Sequence, residues 1–428
     1  MKTILFLDDW MLDSRRNIAR RFCNPELLDV ELTLEGTAAG GEELAGQTSV
    51  YPNYLRDPET GLFKMWYQKS GSLVVPGKNF NSILCYAESD DGIDWRKPDL
   101  GYWRQYGFDD SIRNAAGFDV YPTVTGKTTC DPFDPDPERR YKLTAIEIVG
   151  DIRDNDITGR LYTSPDGTSW KIVPGAEWYR GRMGSDSNNQ ILRNPVTGRY
   201  QITCRPSSLD RRIALVESED LVHWTEPMVV LQPDALDGDL MQFYSISQHW
   251  YGDRFVGIVQ RQHVAETERN PVKWLGKIDD EVAYSYNGVY WIRSNRQPLI
   301  PRRPPGEFGS EQLYTSSMVE TADGSLRFYT LGDIGEHCGA GPIEGTDYRS
   351  KVLVSSLREC GFACLEPVGG HGYFGTRVLI PRHGDLRINY KAPNGVVRVQ
   401  ASDGINQPYQ GFSFDDCIEL RGTRPPAR

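Results

Sequence analysis

The sequence reads as all-β: a five-bladed β-propeller followed by a small C-terminal β-sandwich-like module. Three features lead there. A turn motif, Ser-x-[Asp/Asn]-[Gly/Leu]-x-x-Trp, recurs at Ser89–Trp95, Ser164–Trp170, Ser218–Trp224 and Ser285–Trp291, with a decayed fifth copy at Ser356–Phe362. Such self-similarity marks a repeat architecture. The segments before each copy alternate apolar and polar residues and are broken by Asn, Asp, Gly and Pro, the pattern of β-hairpins. Finally, 11% of the chain is aromatic, and 42 Gly and 27 Pro supply turn formers for many short strands.

The closing aromatics Trp95, Trp170, Trp224, Trp291 and Phe362 follow one another at 75, 54, 67 and 71 residues. These intervals exceed the roughly 40–50 residues of common propeller repeats. Longer loops on each unit account for the excess, and loops commonly carry function. Within the motif, Asp or Asn followed by Gly sets a tight turn, and the Ser or Asp side chain bonds the turn's own backbone. The Trp packs the next strand on its neighbour. The motif is therefore read as structural.

In order, the hairpins are TSVYPNYLRDPETGLFKMWYQ in unit one, a longer turn DPFDPDPERRYKLTAIE in unit two, NNQILRNPVTGRYQITCR in unit three, YSISQHWYGDRFVGIVQR in unit four and YTSSMVETADGSLRFYTLG in unit five. Helical periodicity is confined to short pieces near Asn17 to Phe22 and Pro25 to Leu28. The expected organisation is an N-terminal segment 1–45 packing on the propeller or on the C-terminal module, a propeller 46–365, and a β module 366–428 that alternates but lacks the motif.

A net charge of −11 argues against nucleic acid and anionic membrane as partners. It leaves a neutral carbohydrate open. No apolar run approaches the roughly 18 residues of a membrane span. The start, MKTILFLDDW, is too short in apolar residues for a secretory h-region. The eight cysteines lie mostly in apolar strand-like contexts. They read as reduced thiols in a cytoplasmic protein. Cys360 and Cys364 lack the second pair of ligands that a zinc site needs.

The five repeats, the Ser-x-Asp-Gly-x-x-Trp turns and the phrases FKMWYQ and CYAESDDGIDWRKPDLG resemble the five-bladed propeller glycoside hydrolases. The resemblance is closer to a bacterial group similar to the N-terminal domain of the fructosidase (invertase and levanase) family, in which LFLDDW, LRECGFACLEP and GFSFDDC recur in similar form. It implies a hydrolase acting on a terminal sugar, with furanosides among the candidate substrates and no organic cofactor. The family's Trp-x-Asn-Asp-Pro-Asn-Gly motif is absent, and Arg56-Asp57-Pro58 is a misplaced analogue of its Arg-Asp-Pro.

In a propeller the innermost strands converge on one axis, so acids that precede them meet across a funnel. Asp186, Asp239 and Glu311 lie 12, 13 and 13 residues before the hairpin glycines Gly198, Gly252 and Gly324. Asp119 is the candidate in unit two. Glycoside hydrolysis needs a protonated carboxyl and a carboxylate acting as nucleophile or base. Glu311 is assigned as general acid, Asp186 as nucleophile or base, and Asp239 as an orienting acid. Arg205, Arg261, His263 and His337 follow apolar strands and could bond hydroxyls or a carboxylate, and Arg205 and Arg261 could equally make salt bridges between blades. Tyr244 and Tyr314 could stack on a sugar face, whereas Trp66 reads as core. Three alternatives stay open: a phosphorylase of the mannoside-phosphorylase type using those cations, a non-catalytic sugar-binding propeller, and a calcium ion among the axial acids.

Overall fold

Each complete copy of the turn motif folds by the same local hydrogen bonds in the computed structural model. Ser89 Oγ accepts the amides of Asp91 (3.3 Å) and Gly92 (2.8 Å), and Asp91 Oδ1 accepts those of Ile93 and Asp94 at 2.8 and 3.0 Å. Ser164 with Asp166, Ser218 with Asp220, and Ser285 with Asn287 repeat the set. The fourth residue sits in the left-handed region at φ +77, +85, +70 and +78° for Gly92, Gly167, Leu221 and Gly288. Glycine is the natural occupant there, and Leu221 adopts it at a steric cost.

The turns also fasten neighbouring blades. Gly167 O accepts Trp66 Nε1 (2.6 Å), Gly92 O accepts the Tyr329 hydroxyl (2.9 Å), and Asn287 O accepts Asn194 Nδ2 (2.8 Å). Trp66 is buried in this contact, as its apolar strand context predicts. Arg56-Asp57-Pro58 lies at the first hairpin tip. There the buried Asp57 carboxylate accepts the amides of Glu59 and Thr60 and pairs with Lys64 and Arg140.

The structure describes residues 3–35, 52–69, 83–108, 110–148, 156–182, 185, 187–206, 210–265, 274–338, 350–380 and 386–424. They fall into two compact units: Met1–Asn24 with Asp323–Leu326 and Leu357–Arg428, and Pro25–Ala322 with Arg327–Ser356. In the larger unit five antiparallel blades begin with the inner strands Asn53–Arg56, Val124–Cys130, Gln190–Arg193, Met241–Tyr251 and Gln312–Glu320, and a parallel pairing of Ile278 with Gln312 joins the fourth and fifth into one eight-stranded sheet. Every inner strand bonds to the next. Asn53 Oδ1 accepts the Thr128 amide (3.0 Å), Lys127 N donates to Asn189 O (3.1 Å), and Gln190 and Gln248 exchange two bonds of 2.8 Å. Ser247 Oγ donates to Ser316 O (3.0 Å), and the Tyr54 amide donates to Ser317 Oγ (3.0 Å), returning to the first sheet. The ring therefore closes at five blades. The last blade takes its outer strand from Glu26–Leu27, which pairs with Ser350–Leu357.

In the smaller unit Leu12–Arg16 pairs with Tyr373–Thr376, Ile18–Phe22 with Ala363–Pro367, and Tyr390–Val397 with Leu420–Arg424. The helical pieces expected near Asn17 to Phe22 and Pro25 to Leu28 are strands instead. A segment of five residues is too short for its periodicity to separate helix from strand, and pairing with a distant strand decides it. No helix among the described residues is long and apolar enough to cross a membrane.

One glycine limits the fourth blade. Gly276 stands at φ +156°, and a Cβ added to it would lie 2.2 Å from the His263 carbonyl oxygen. Backbone cannot retreat as a side-chain tip can. Gly276→Ala is expected to destabilise the protein by about 1–3 kcal/mol, read as a lower urea midpoint. An unchanged midpoint would contradict the close approach.

Candidate functional site

In an antiparallel blade the start of the inner strand, the end of the second strand and the start of the third lie at one end of the sheet. Arg205 follows the second strand of blade three, and Arg211 precedes its third strand. Tyr244 lies near the start of the inner strand of blade four, Glu311 directly precedes that of blade five, and His337 follows blade five's second strand. Strand direction alone thus carries these residues to one end of the propeller.

Tyr244 is the hub. The Arg205 guanidinium lies 4.7 Å from its ring centroid and the Arg211 guanidinium 5.4 Å. The Tyr314 ring meets it edge-on at 5.6 Å and the His337 ring at 5.1 Å. Arg205 and Arg211 are almost fully buried. Arg205 Nη2 donates to Tyr244 O (3.1 Å), and Arg211 Nη1 donates to Gln242 Oε1 (3.2 Å) and Gln262 Oε1 (2.9 Å). Gln262 Nε2 then donates to Trp274 O (2.7 Å), which also lies 2.5 Å from His337 Nδ1. The Tyr314 hydroxyl donates to Gln312 Oε1 (2.5 Å), and burial holds that phenol neutral far above its usual range.

The carboxylates predicted from the chain are distributed as follows. Asp186 lies outside the described residues. Its neighbour Ser185 is buried at φ +52°, and Ser185 Oγ accepts the Arg205 amide at 3.1 Å. The side chain of Asn189 closes this loop, bonding Ser185 Oγ and Ser185 O at 2.7 Å each. Glu311 is partly buried and pairs with Lys277 Nζ at 2.9 Å. Its carbonyl accepts the Ile278 amide at 3.0 Å. Asp239 is exposed in a turn two residues before the inner strand of blade four. Asp119 is exposed, and its Oδ1 accepts the amides of Val120 (2.7 Å) and Ile172 (2.9 Å), ties within blade two that place it away from the Tyr244 group.

Arg261 and His263 converge on another acid. Arg261 Nε and Nη2 donate to Asp279 Oδ1 at 2.8 and 2.7 Å, and His263 Nε2 lies 2.9 Å from Asp279 Oδ2. Burial opposes ionisation of Asp279, but the His263 hydrogen bond and the Arg261 guanidinium outweigh it and hold its pKa below the usual range. The next residue behaves oppositely. Asp280 points to the other face, where burial, reinforced by the charge of Asp279, pushes its carboxyl up to about 7 against the hydrogen bond from the Thr315 amide. Asp280 is wholly buried.

The structure thus brings together Arg205, Tyr244, Tyr314 and His337 of the residues predicted to bind substrate. It adds Arg211, Gln242, Gln262, Lys277 and Asp279. Arg211 could have been found by applying the rule used for strand ends to strand starts, since it stands just before the apolar run Ile213–Ser218. Lys277 offered no such signal, because its partner Glu311 is 34 positions away.

No family model and no curated protein matches the chain. Solved structures resemble it at low identity. An N-acetylgalactosamine deacetylase from F. plautii is 15% identical over 78% of this chain and 94% of its own, with a TM-score of 0.48. A thermostable family-43 glycoside hydrolase is 13% identical over 79% and 96%, with a TM-score of 0.45. The Bombyx mori GH32 β-fructofuranosidase is 16% identical over 83% and 67%, again at 0.45. The closure into five blades rests on the ring of hydrogen bonds between inner strands and is independent of these overlays.

Proposed function

We propose that the chain is a glycoside hydrolase that removes a terminal sugar, bound against the Tyr244 group, by carboxylate acid/base chemistry. One observation carries this reading: the segments bearing two of the candidate acids are both anchored on Tyr244. Arg205 joins the loop of Asp186, through Ser185, to the Tyr244 ring and carbonyl. Tyr314, hydrogen-bonded to Gln312 beside Glu311, packs on the same ring. In this reading Glu311 gives a proton to the departing glycosidic oxygen, and Asp186 attacks the anomeric carbon or takes a proton from the attacking water. Asp239 orients these groups from its turn. Tyr244, Tyr314, Arg205 and His337 supply the apolar face and hydrogen bonds for the sugar, while Arg261 and His263 stand beside it around Asp279. No organic cofactor enters the scheme.

A second reading is favoured by the two buried guanidinium groups over one tyrosine. With His337 they would also suit inorganic phosphate, the attacking group of a glycoside phosphorylase. A panel of aryl glycosides, offered with and without phosphate, separates the readings. Release of the aryl group without phosphate is the expected result. Asp186→Asn and Glu311→Gln should each lower it about 10²-fold or more. Turnover only with phosphate selects the phosphorylase. Sugar binding without any turnover, or undiminished turnover in both variants, overturns the proposed site.

A further inference from the structure

The smaller unit holds a pair of thiols in contact. In the ladder of Ile18–Phe22 with Ala363–Pro367, Arg21 stands opposite Cys364. Cys23 continues the ladder, its amide donating to Phe362 O at 2.9 Å. Residues two apart on a strand share a face, so Cys23 and Cys364 are diagonal neighbours on one side of the ladder. Their Sγ atoms are 3.8 Å apart, and neither side is sealed from solvent. Arg21 is on the same face, and its Nε donates to Glu366 Oε1 at 2.7 Å. The Cys364 thiol lies 3.6 Å from that same carboxylate oxygen. Cys23 also lies just past the end of its strand at Phe22 and just before Asn24-Pro25, so small backbone movements there do not disturb an interior ladder.

We infer that Cys23 and Cys364 form a thiol–disulfide exchange site that takes a small disulfide of the glutathione class and converts it to two thiols while closing a Cys23–Cys364 bridge. The Glu366 carboxylate 3.6 Å from Cys364 Sγ disfavours a thiolate on Cys364, while hydrogen bonding with Cys364 and the Arg21 guanidinium lower the Cys23 thiol pKa despite its partial burial, so Cys23 is the attacking thiolate. Its sulfur bonds to one sulfur of the small disulfide. The S–S bond breaks, and the departing thiolate takes a proton from water. Cys364 then yields its proton to solvent beside Glu366 and attacks Cys23 Sγ, releasing the second small thiol. Two protein thiols are oxidised and one disulfide is reduced, with no other reactant. The bridge would tie the first strands of the chain covalently to the start of its C-terminal segment, 341 positions away. Closing so long a loop restricts the unfolded chain strongly.

The test equilibrates the full-length protein with glutathione buffers of rising disulfide fraction, traps it with an alkylating reagent and maps the peptides by mass spectrometry. A Cys23–Cys364 linked peptide is expected before any of the other six cysteines reacts, together with an upward shift of the thermal midpoint that dithiothreitol reverses. Cys364→Ser should stop at a stable glutathione adduct on Cys23. Absence of the linked peptide from wild-type protein across the whole buffer series, or modification of Cys23 no faster than of the exposed Cys338, would overturn the assignment. Because the wild-type map alone decides the matter, the outcome does not depend on how well the serine variant folds.

Discussion

Arg261→Met is expected to lower the free energy of unfolding by about 3–5 kcal/mol, the usual consequence of removing one partner from a buried ion pair. The reason lies in what the guanidinium leaves behind. Asp279 and Glu281 are both buried, and Arg261 bonds both, with Nη1 at 3.2 Å from Glu281 Oε2 and 2.9 Å from Arg296 O. Arg293 shares the load by bridging Glu281 to Asp237, with Nη2 at 3.0 and 2.7 Å from them. It makes no bond to Asp279, and among the described residues only His263 remains bonded there. Methionine fills the stem's volume but returns no donor. The rim of the same network provides the contrast. Arg296 and Asp234 form a well-aligned pair at 2.5 Å, but their side chains are 28% and 49% exposed. Removing Arg296 by alanine substitution should cost at most about 1 kcal/mol. Urea denaturation of both variants checks the pair of values, and equal losses would mean that burial does not govern this network.

Lys127→Met is expected to stabilise the protein at pH 6, on the order of 2–4 kcal/mol, and to flatten its stability profile above neutrality. Lys127 lies on the inner strand of blade two and reaches past blade one to donate its Nζ proton to Ser316 O on blade five. The amine is buried, and desolvation pushes its pKa down to about 7. Burial, and secondarily the charge of Lys127, keep the neighbouring His249 neutral, well below its ordinary pKa. Below about pH 7 the folded protein must carry the buried ammonium, and the cost is present in full. Between pH 7 and the ordinary lysine pKa of about 10.4 the unfolded chain binds a proton that the folded chain does not, so stability rises with pH. Methionine removes that dependence. The lost hydrogen bond is worth about 1 kcal/mol, and Ser316 O keeps a second donor in Ser247 Oγ. Urea melts at pH 6, 8 and 9.5 distinguish the cases. Parallel profiles for the two proteins, or a variant less stable at pH 6, would contradict a charged lysine at the axis.

The parts of this protein that were legible in the chain are those whose partners are near in sequence. Ser164, Asp166 and Gly167 bond within one turn, so residue types and spacing sufficed to place the turn and to assign it a structural role. The same holds for the hairpins, whose registers follow from alternating faces. The offset rule that selected Glu311 and Asp239 describes height along a blade. It does not say which face a side chain takes or which cation waits there. Glu311 meets Lys277, whereas Asp239 stands exposed in its turn. Asp119, chosen by a looser version of the rule, bonds two backbone amides within its own blade. Likewise the segment Asn17 to Phe22 carried no local signal strong enough to reveal a strand, because its ladder partner Ala363–Pro367 lies at the far end of the chain.

By itself the chain determined the all-β class, the five repeats and the turn chemistry, because each of these depends on bonds closed within a few residues. The tertiary structure alone decided that Tyr244 would gather two arginines, a histidine and a second tyrosine, that Asp279 would be held by Arg261 and His263 while Asp280 faces the opposite way with its carboxyl pushed up by burial, and that Cys23 would touch Cys364. Those juxtapositions arise when sheets far apart in sequence are curled into a ring or paired end to end. Their energies depend on burial and dielectric environment, which do not exist until the ring has closed.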